Sequence, residues 1–489
     1  MKHIILIIIS ITVLNNVYST NYYVSTTGND NNTGLSISQS FLTISKLLNT
    51  VQPGDTAFIL EGTYNLNQST QCSGTQQNPI VIKAYNNQTV ILEGNGNSST
   101  GGRFRLKHDW YFIENLEFKN GDAGITLTSN ASNNTINNCK AHNCYFTGYY
   151  IADGASNNLI INCDAYNMYD SASDGGNADG FVVSGQSSAP GPGNKFTNCR
   201  AFSNSDDGFD VWKAGYPVEF NYCLSYNNGN HSGDGNGFKL GINKTQDDKH
   251  ILKNCIAWNN KQNGFDYNDT ELPQTLYNCT AYNNARNYKF WDINGGPVIH
   301  NIENCISAIN QFDDILLQTI IDQNTNSWNL VNANNIYIAD SNFISVNDST
   351  ITGSRNNDGS IPESNFLKLK PQSIFIDAGI DVGIAYNGTA PDLGAFESDY
   401  TTNLTNYKKN MFDIKIYPNP AKEFTTIEYN ITKNTELFIY NSIGEIIREY
   451  KLINNSHRLR VSLNNLSKGV YLIKINNYKE HFYRLLVVN

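Results

Sequence analysis

Asp179-Gly180-Phe181, Ser205-Asp206-Asp207-Gly208-Phe209-Asp210 and Asn236-Gly237-Phe238-Lys239-Leu240-Gly241 are three copies of one short phrase. Each sets a polar residue before a glycine and a phenylalanine after it. The glycine alignment extends through Gly124, Gly148 and Gly264, with Tyr288 read in the glycine's place one unit later. Phenylalanine follows four of these glycines and is expected to point inward. Side chains alternate along a strand, so the residue after it faces the other way. That outward column reads Thr126, Tyr150, Val182, Asp210, Lys239 and Asp266, and the residues before the glycines include Asp179, Asp207 and Asn236.

A second column fixes the repeat. Asn-Cys recurs at Cys139, Cys163, Cys199, Cys255, Cys279 and Cys305, with Tyr222 before Cys223 as the variant. The cysteine spacings are 24, 36, 24, 32, 24 and 26 residues, a base period with insertions. Such a period belongs to solenoids, and the units hold short strand-like pieces with no long helical pattern. The expected fold is all-β, a right-handed parallel β-helix whose equivalent positions stack about 4.8 Å apart. Cysteine packs as a small hydrophobe, so the column is read as reduced and interior, with asparagines laddered at a turn. No Cys-x-x-Cys pair suggests zinc.

The ends read differently. Lys2 and His3 precede an apolar run from Ile4 to Leu14, the pattern of a secretory signal peptide over residues 1–20; no later run is long enough to be a transmembrane segment. Phe41 to Val51 has helical spacing and would cap the solenoid. The β-helix is expected over 21–398, with possible late rungs at Trp328-Asn329-Leu330 and Phe343-Ile344-Ser345 and a closing turn and strand at Asp392-Leu393-Gly394-Ala395-Phe396-Glu397. A polar linker follows over 399–411. Residues 412–489 alternate as a small antiparallel β-sandwich, for example at Glu436-Leu437-Phe438-Ile439-Tyr440. Tyr417-Pro418-Asn419-Pro420-Ala421 and Leu466-Ser467-Lys468-Gly469-Val470-Tyr471 resemble the C-terminal sorting domain of type IX secretion, which implies export through that machinery to the cell surface or medium. A small carbohydrate-binding sandwich is the alternative for this tail.

The 489 residues are 39% hydrophobic and 16% charged, with a formal net charge of −10. Phosphate backbones need a basic surface, so nucleic acid is not the partner. An anionic substrate would be repelled at long range and would need a local cation. Asp179, Asp206, Asp207 and Asp210 crowd onto two successive coils, where bare carboxylates would repel. Hard oxygen donors without His or Cys suit Ca²⁺. Lys239 follows Asp210 one coil on. A dication beside it would depress its pKa and favour a neutral base, while Asp266 would oppose that. Lys213, Arg286 and Lys289 are further cations near the site, candidates for gripping substrate carboxylates.

The same motifs, with Tyr22-Tyr23-Val24-Ser25, Pro53-Gly54-Asp55-Thr56 and the stretch from Asp392 to Glu397, resemble family 9 polysaccharide lyases of the pectate lyase type. The resemblance implies a β-helix of about ten coils, Ca²⁺ held by Asp179, Asp206, Asp207 and Asp210, and Lys239 as catalytic base. It also implies β-elimination on an acidic polysaccharide, pectate first and rhamnogalacturonan second; a monomer is expected. Two other readings stay open at this point. One is a β-helical glycoside hydrolase of the polygalacturonase kind, recruiting Asp206, Asp207 and Asp210 as acid and base. The other is a non-catalytic, calcium-stabilised adhesin, which would have no need of Lys239.

Overall fold

The computed structural model describes residues 19–399 and 415–488, except 97, 186–187, 242–248, 271, 291–299, 317–319, 322–324, 333–339, 430–434, 442–445, 453–457 and 478–479. The signal-peptide reading of 1–20 and the linker of 399–411 therefore fall almost wholly outside the described residues.

Three long parallel sheets of 12, 10 and 10 strands wind into the expected right-handed β-helix. One coil illustrates how the sequence makes it. Leu159–Ile161 lies in the 12-stranded sheet, Asn162 turns the corner, Asp164–Tyr166 enters the second sheet, and Asp179–Val183 enters the third. The corner needs a left-handed residue, and Asn162 takes it at φ 56°. Asparagine tolerates that region better than most L-residues. Two pairs of corner asparagines are laddered, Asn198 Nδ2 donating to Asn162 Oδ1 at 2.6 Å and Asn304 Nδ2 to Asn278 Oδ1 at 3.2 Å, while Asn162 Nδ2 turns to Asn137 Oδ1 and Asn254 and Asn278 donate to backbone carbonyls.

The next residue at each corner points inward. Cys139, Cys163, Cys199, Cys223, Cys255, Cys279 and Cys305 are all buried and unpaired. Beside them Tyr149, Phe181, Phe209, Phe238, Phe265 and Tyr288 stack face to face, with centroids 4.7–5.1 Å apart. The ring spacing is the coil spacing, so each phenylalanine of the repeated phrase fills the core of its own coil. Tyr288 thus belongs to the ring column and not to the glycine's place. Asn263 registers with Arg286 and Phe265 with Tyr288, which leaves Asn287 opposite Gly264. The sequence alignment was one residue out there because the last unit has no glycine to anchor it.

A polar ladder runs through the interior as well. Asn204, Asn228, Asn260 and Asn284 are buried, and each Nδ2 in turn reaches the next Oδ1 at 2.9–3.0 Å. Each Oδ1 also accepts the preceding coil's backbone N–H at 3.0–3.2 Å. Buried amides are tolerable because they are saturated this way.

The helix expected over Phe41–Val51 is the shorter Ile44–Leu48, capped by the Thr43 hydroxyl, with Ile44, Leu47 and Leu48 buried. The late rungs are not rungs. Trp328 lies in the helix Ser327–Asn332, and Phe343 and Ser345 make only isolated bridges to Leu369 and Phe366. Nor is the stretch from Asp392 to Glu397 a strand. This part of the chain instead packs Phe343, Phe366 and Phe375 onto the outer face of the second sheet, against Tyr226, Ile256 and Trp258. Arg355 clamps it by joining Arg200 on the buried Asp164, at 2.8 and 2.7 Å. Residues 415–488 form separate three- and four-stranded antiparallel sheets around their own core, the expected sandwich.

Candidate active site and metal centre

The third sheet carries the site. Its strands Asp179–Val183, Phe209–Asp210, Phe238–Lys239, Asn263–Asp266 and Arg286–Phe290 are consecutive neighbours. Their register sets Val182, Asp210, Lys239, Asp266 and Lys289 side by side. With the rings of residues 181, 209, 238 and 265 inside, this column faces outward.

Glycine is required in the phrase because successive backbones approach closely. A Cβ on Gly208 would meet Ser225 Oγ at 2.0 Å and the Gly237 carbonyl oxygen at 2.8 Å. The residue before each glycine can therefore be drawn into the next coil. Asp207 N–H donates to Asp179 Oδ1 at 2.9 Å, Asn236 N–H to Asp207 Oδ1 at 2.6 Å, and Asn263 N–H to Asn236 Oδ1 at 3.2 Å.

All four candidate acids share one arrangement. Asp179 and Asp207 have Oδ1 engaged by these backbone amides. Asp206 Oδ1 accepts from Asp234 N–H at 2.7 Å and Asp210 Oδ1 from Trp212 N–H at 2.7 Å. One oxygen of each carboxylate orients the side chain, and the second oxygens of Asp207 and Asp210 lie toward Lys239 Nζ. Oxygen atoms of Asp179, Asp207 and Asp210 come within 4.8 Å of one another. Asp206 is not in that trio, but after burial it is the largest influence on Asp179.

Lys239 Nζ stands 2.9 Å from Asp207 Oδ2 and 3.5 Å from Asp210 Oδ2. The shorter contact is an ion pair without hydrogen-bond alignment, since Asp207 Oδ2 is a buried oxygen lacking a hydrogen-bond partner. Burial works against the Lys239 ammonium, yet Asp207, Asp210 and Asp179 outweigh it and hold the amine above its ordinary pKa. The acids suffer in the opposite sense. Burial, then the neighbouring carboxylates, pushes Asp179 well up, and burial with Asp207 pushes Asp206 up to about 8. Burial raises Asp210 to about 6 despite Lys239. One ammonium does not offset this many buried acids. An all-oxygen donor set in which the buried Asp207 Oδ2 accepts no hydrogen bond fits a hard divalent cation such as Ca²⁺.

The other cations are less uniform. Asp266 does not oppose Lys239 unaided, because Lys289 pairs with it at 3.2 Å. Arg286 lies on the same strand as Lys289, its Nε donating to Asp313 O at 2.9 Å. Lys213 follows the Phe209–Asp210 strand in a left-handed turn, exposed, with Nζ 4.0 Å above the Trp212 ring. Sequence reading did not find the orienting role of Asn236, although it stood in the column before the glycines. The cavities lined by Asn87 and Lys140, and by Tyr222 and Glu397, lie away from this open face.

A parallel β-helix whose outward sheet face gathers buried acids beside Lys239 suits an enzyme acting on an extended polysaccharide. Residues 22–304 match the family described as Pel9A-like, right-handed β-helix region, and residues 415–489 match the secretion system C-terminal sorting domain. Pectate lyase L of Dickeya dadantii is 33% identical over 397 residues, spanning 77% of this chain and 90% of that protein. Pectate lyase PEL9 of Emericella nidulans is 30% identical, over 72% and 92%. Among solved structures, pectate lyase Pel9A superposes with a TM-score of 0.70 at 31% identity, covering 78% of this chain and 98% of that one. A rhamnogalacturonan lyase gives 0.60 at 26%, covering 72% and 97%. The chain belongs to the Pel9A-like β-helix family and is a polysaccharide lyase. Its type IX sorting domain marks it for export.

Proposed function

We propose that this lyase cleaves pectate by calcium-dependent β-elimination, with Asp179, Asp206, Asp207 and Asp210 as the ion's ligands and Lys239 as the base. The observation that carries this is the shared anchoring of the four acids, one oxygen fixed by a backbone amide, beside the Lys239 amine. Bound Ca²⁺ would neutralise the substrate carboxylate and lower the energy of the carbanion-like charge that develops next to it.

Lys239 takes the proton α to that carboxylate, the electron pair forms the C4–C5 double bond, and the C4–O4 bond breaks. The departing oxygen gains a proton from water, leaving an unsaturated uronate and a new chain end. The reaction needs the amine neutral. Carboxylates engaged by a dication would hold the Lys239 ammonium less tightly, which would favour the neutral amine the reaction needs. Lys289, Arg286 and Lys213 are the candidates for gripping uronate carboxylates away from the cleavage point.

Ultraviolet absorbance of the unsaturated product, measured on polygalacturonate with calcium and with excess chelator, tests the reading. Reducing ends without that absorbance would indicate hydrolysis instead. Rhamnogalacturonan is the second substrate to assay, since one structural relative is a lyase of that polymer.

A further inference from the structure

Six of the seven corners before the cysteine column carry asparagine, and the seventh carries Tyr222. Its φ is 54°, a left-handed backbone that suits asparagine and is an outlier for a bulky aromatic. Tyrosine has no amide to continue the corner ladder. Burial does not compensate, because Tyr222 is 53% exposed. Neither backbone preference nor packing accounts for an aromatic at this corner, and such outliers mark functional positions.

Tyr222 lines a cavity of about 170 Å³ together with Tyr386, Phe396 and Glu397. Tyr386 is also exposed, at 39%. The far wall is the chain segment returning along the solenoid, fixed by Asn254 Nδ2 donating to Ala395 O at 3.1 Å and Asn278 Nδ2 to Asp392 O at 2.9 Å. Glu397 is held by the N–H groups of Asn387 and Asp392, both at 3.1 Å. The cavity is therefore preformed. Tyr222 sits between the strands Glu219–Asn221 and Leu224–Tyr226, which belong to the two sheets that do not carry Lys239. It is no extension of the catalytic face.

Exposed aromatic rings beside amides and a carboxylate suit a sugar, whose C–H face stacks on the ring while its hydroxyls bond to the polar groups. The one charged group among the described lining residues is acidic, and Lys368, whose Nζ lies 5.9 Å over the Phe396 ring, is paired with Glu363 at 3.4 Å, so a uronate would find no unpaired cation in this wall. We propose that Tyr222, Tyr386 and Phe396 form a second, non-catalytic saccharide site for one neutral pyranose ring, anchoring the enzyme on neutral portions of its polysaccharide. This rests on membership of the polysaccharide lyases but not on Lys239 or calcium.

Affinity electrophoresis of the full chain through gels holding neutral galactan or xylan, both built of pyranose rings, tests it without turnover. Retardation in at least one gel is expected, and it should fall severalfold in Tyr222→Asn and Tyr386→Ala. Tyr222→Asn installs the residue used at the other six corners, so it should fold, and both variants should keep the parent rate on short soluble oligogalacturonides. An unretarded parent, or variants retarded as strongly as the parent, would overturn the proposal. A parent chain that is retarded but does not cleave oligogalacturonides would count against the catalytic reading alone.

Discussion

Asp207 and Lys239 stand on successive coils with Nζ 2.9 Å from Oδ2, and the Asp207 side chain is fully buried. The other Asp207 oxygen is held by Asn236 N–H and Nδ2 at 2.6 and 2.9 Å. Asparagine would fit the same ladder, as Asn236 and Asn263 do one and two coils on. Asp207→Asn should therefore fold normally yet bind Ca²⁺ at least about tenfold more weakly, a loss of ~1.4 kcal/mol or more. Calorimetric titration with Ca²⁺ reads this directly, and unchanged affinity would remove Asp207 from the ligand set.

Metal-free stability should depend on pH in a definite direction. Asp206 at about 8 and Asp210 at about 6 stay protonated in the folded chain where the unfolded chain has ionised. Folding thus takes up protons, and stability falls as pH rises from about 4 to about 8. Lys239 adds no slope there, since its raised pKa changes stability only above the ordinary lysine value. Thermal melts in chelator should show Tm dropping across this window. Saturating Ca²⁺ should raise Tm most at the alkaline end, where the acids are ionised.

Gly208→Ala tests the close approach that shapes the site. Its Cβ would collide with Ser225 Oγ and the Gly237 carbonyl, and overpacking of this kind costs about 1–3 kcal/mol. Melting temperature should fall, and activity should fall with it because the Asp207 anchor shifts.

Much of this was legible because two periodicities coincide. Glycine marks the coil and period-two alternation assigns the faces, so Asp210, Lys239 and Asp266 align from the sequence alone, and they register as neighbours. Where the glycine is missing, at Asn287, the alignment slipped by one residue and hid the pairing of Lys289 with Asp266. Asn204, Asn228, Asn260 and Asn284 were unreadable as interior residues because asparagine in isolation signals a turn. Only stacking on identical neighbours makes its burial affordable. The segment around Phe343 and Phe366 has no period, since it packs on the outside of the solenoid and repeats nothing.

The central claim is that Lys239 removes the proton. A placed base contributes roughly 100-fold or more to turnover, ~3 kcal/mol of barrier. The measurement is kcat on polygalacturonate for Lys239→Ala, by product absorbance at saturating Ca²⁺, with Ca²⁺ affinity determined on the same sample. The account predicts kcat at least ~100-fold lower with calcium still bound. Near-parental kcat in that variant would contradict it.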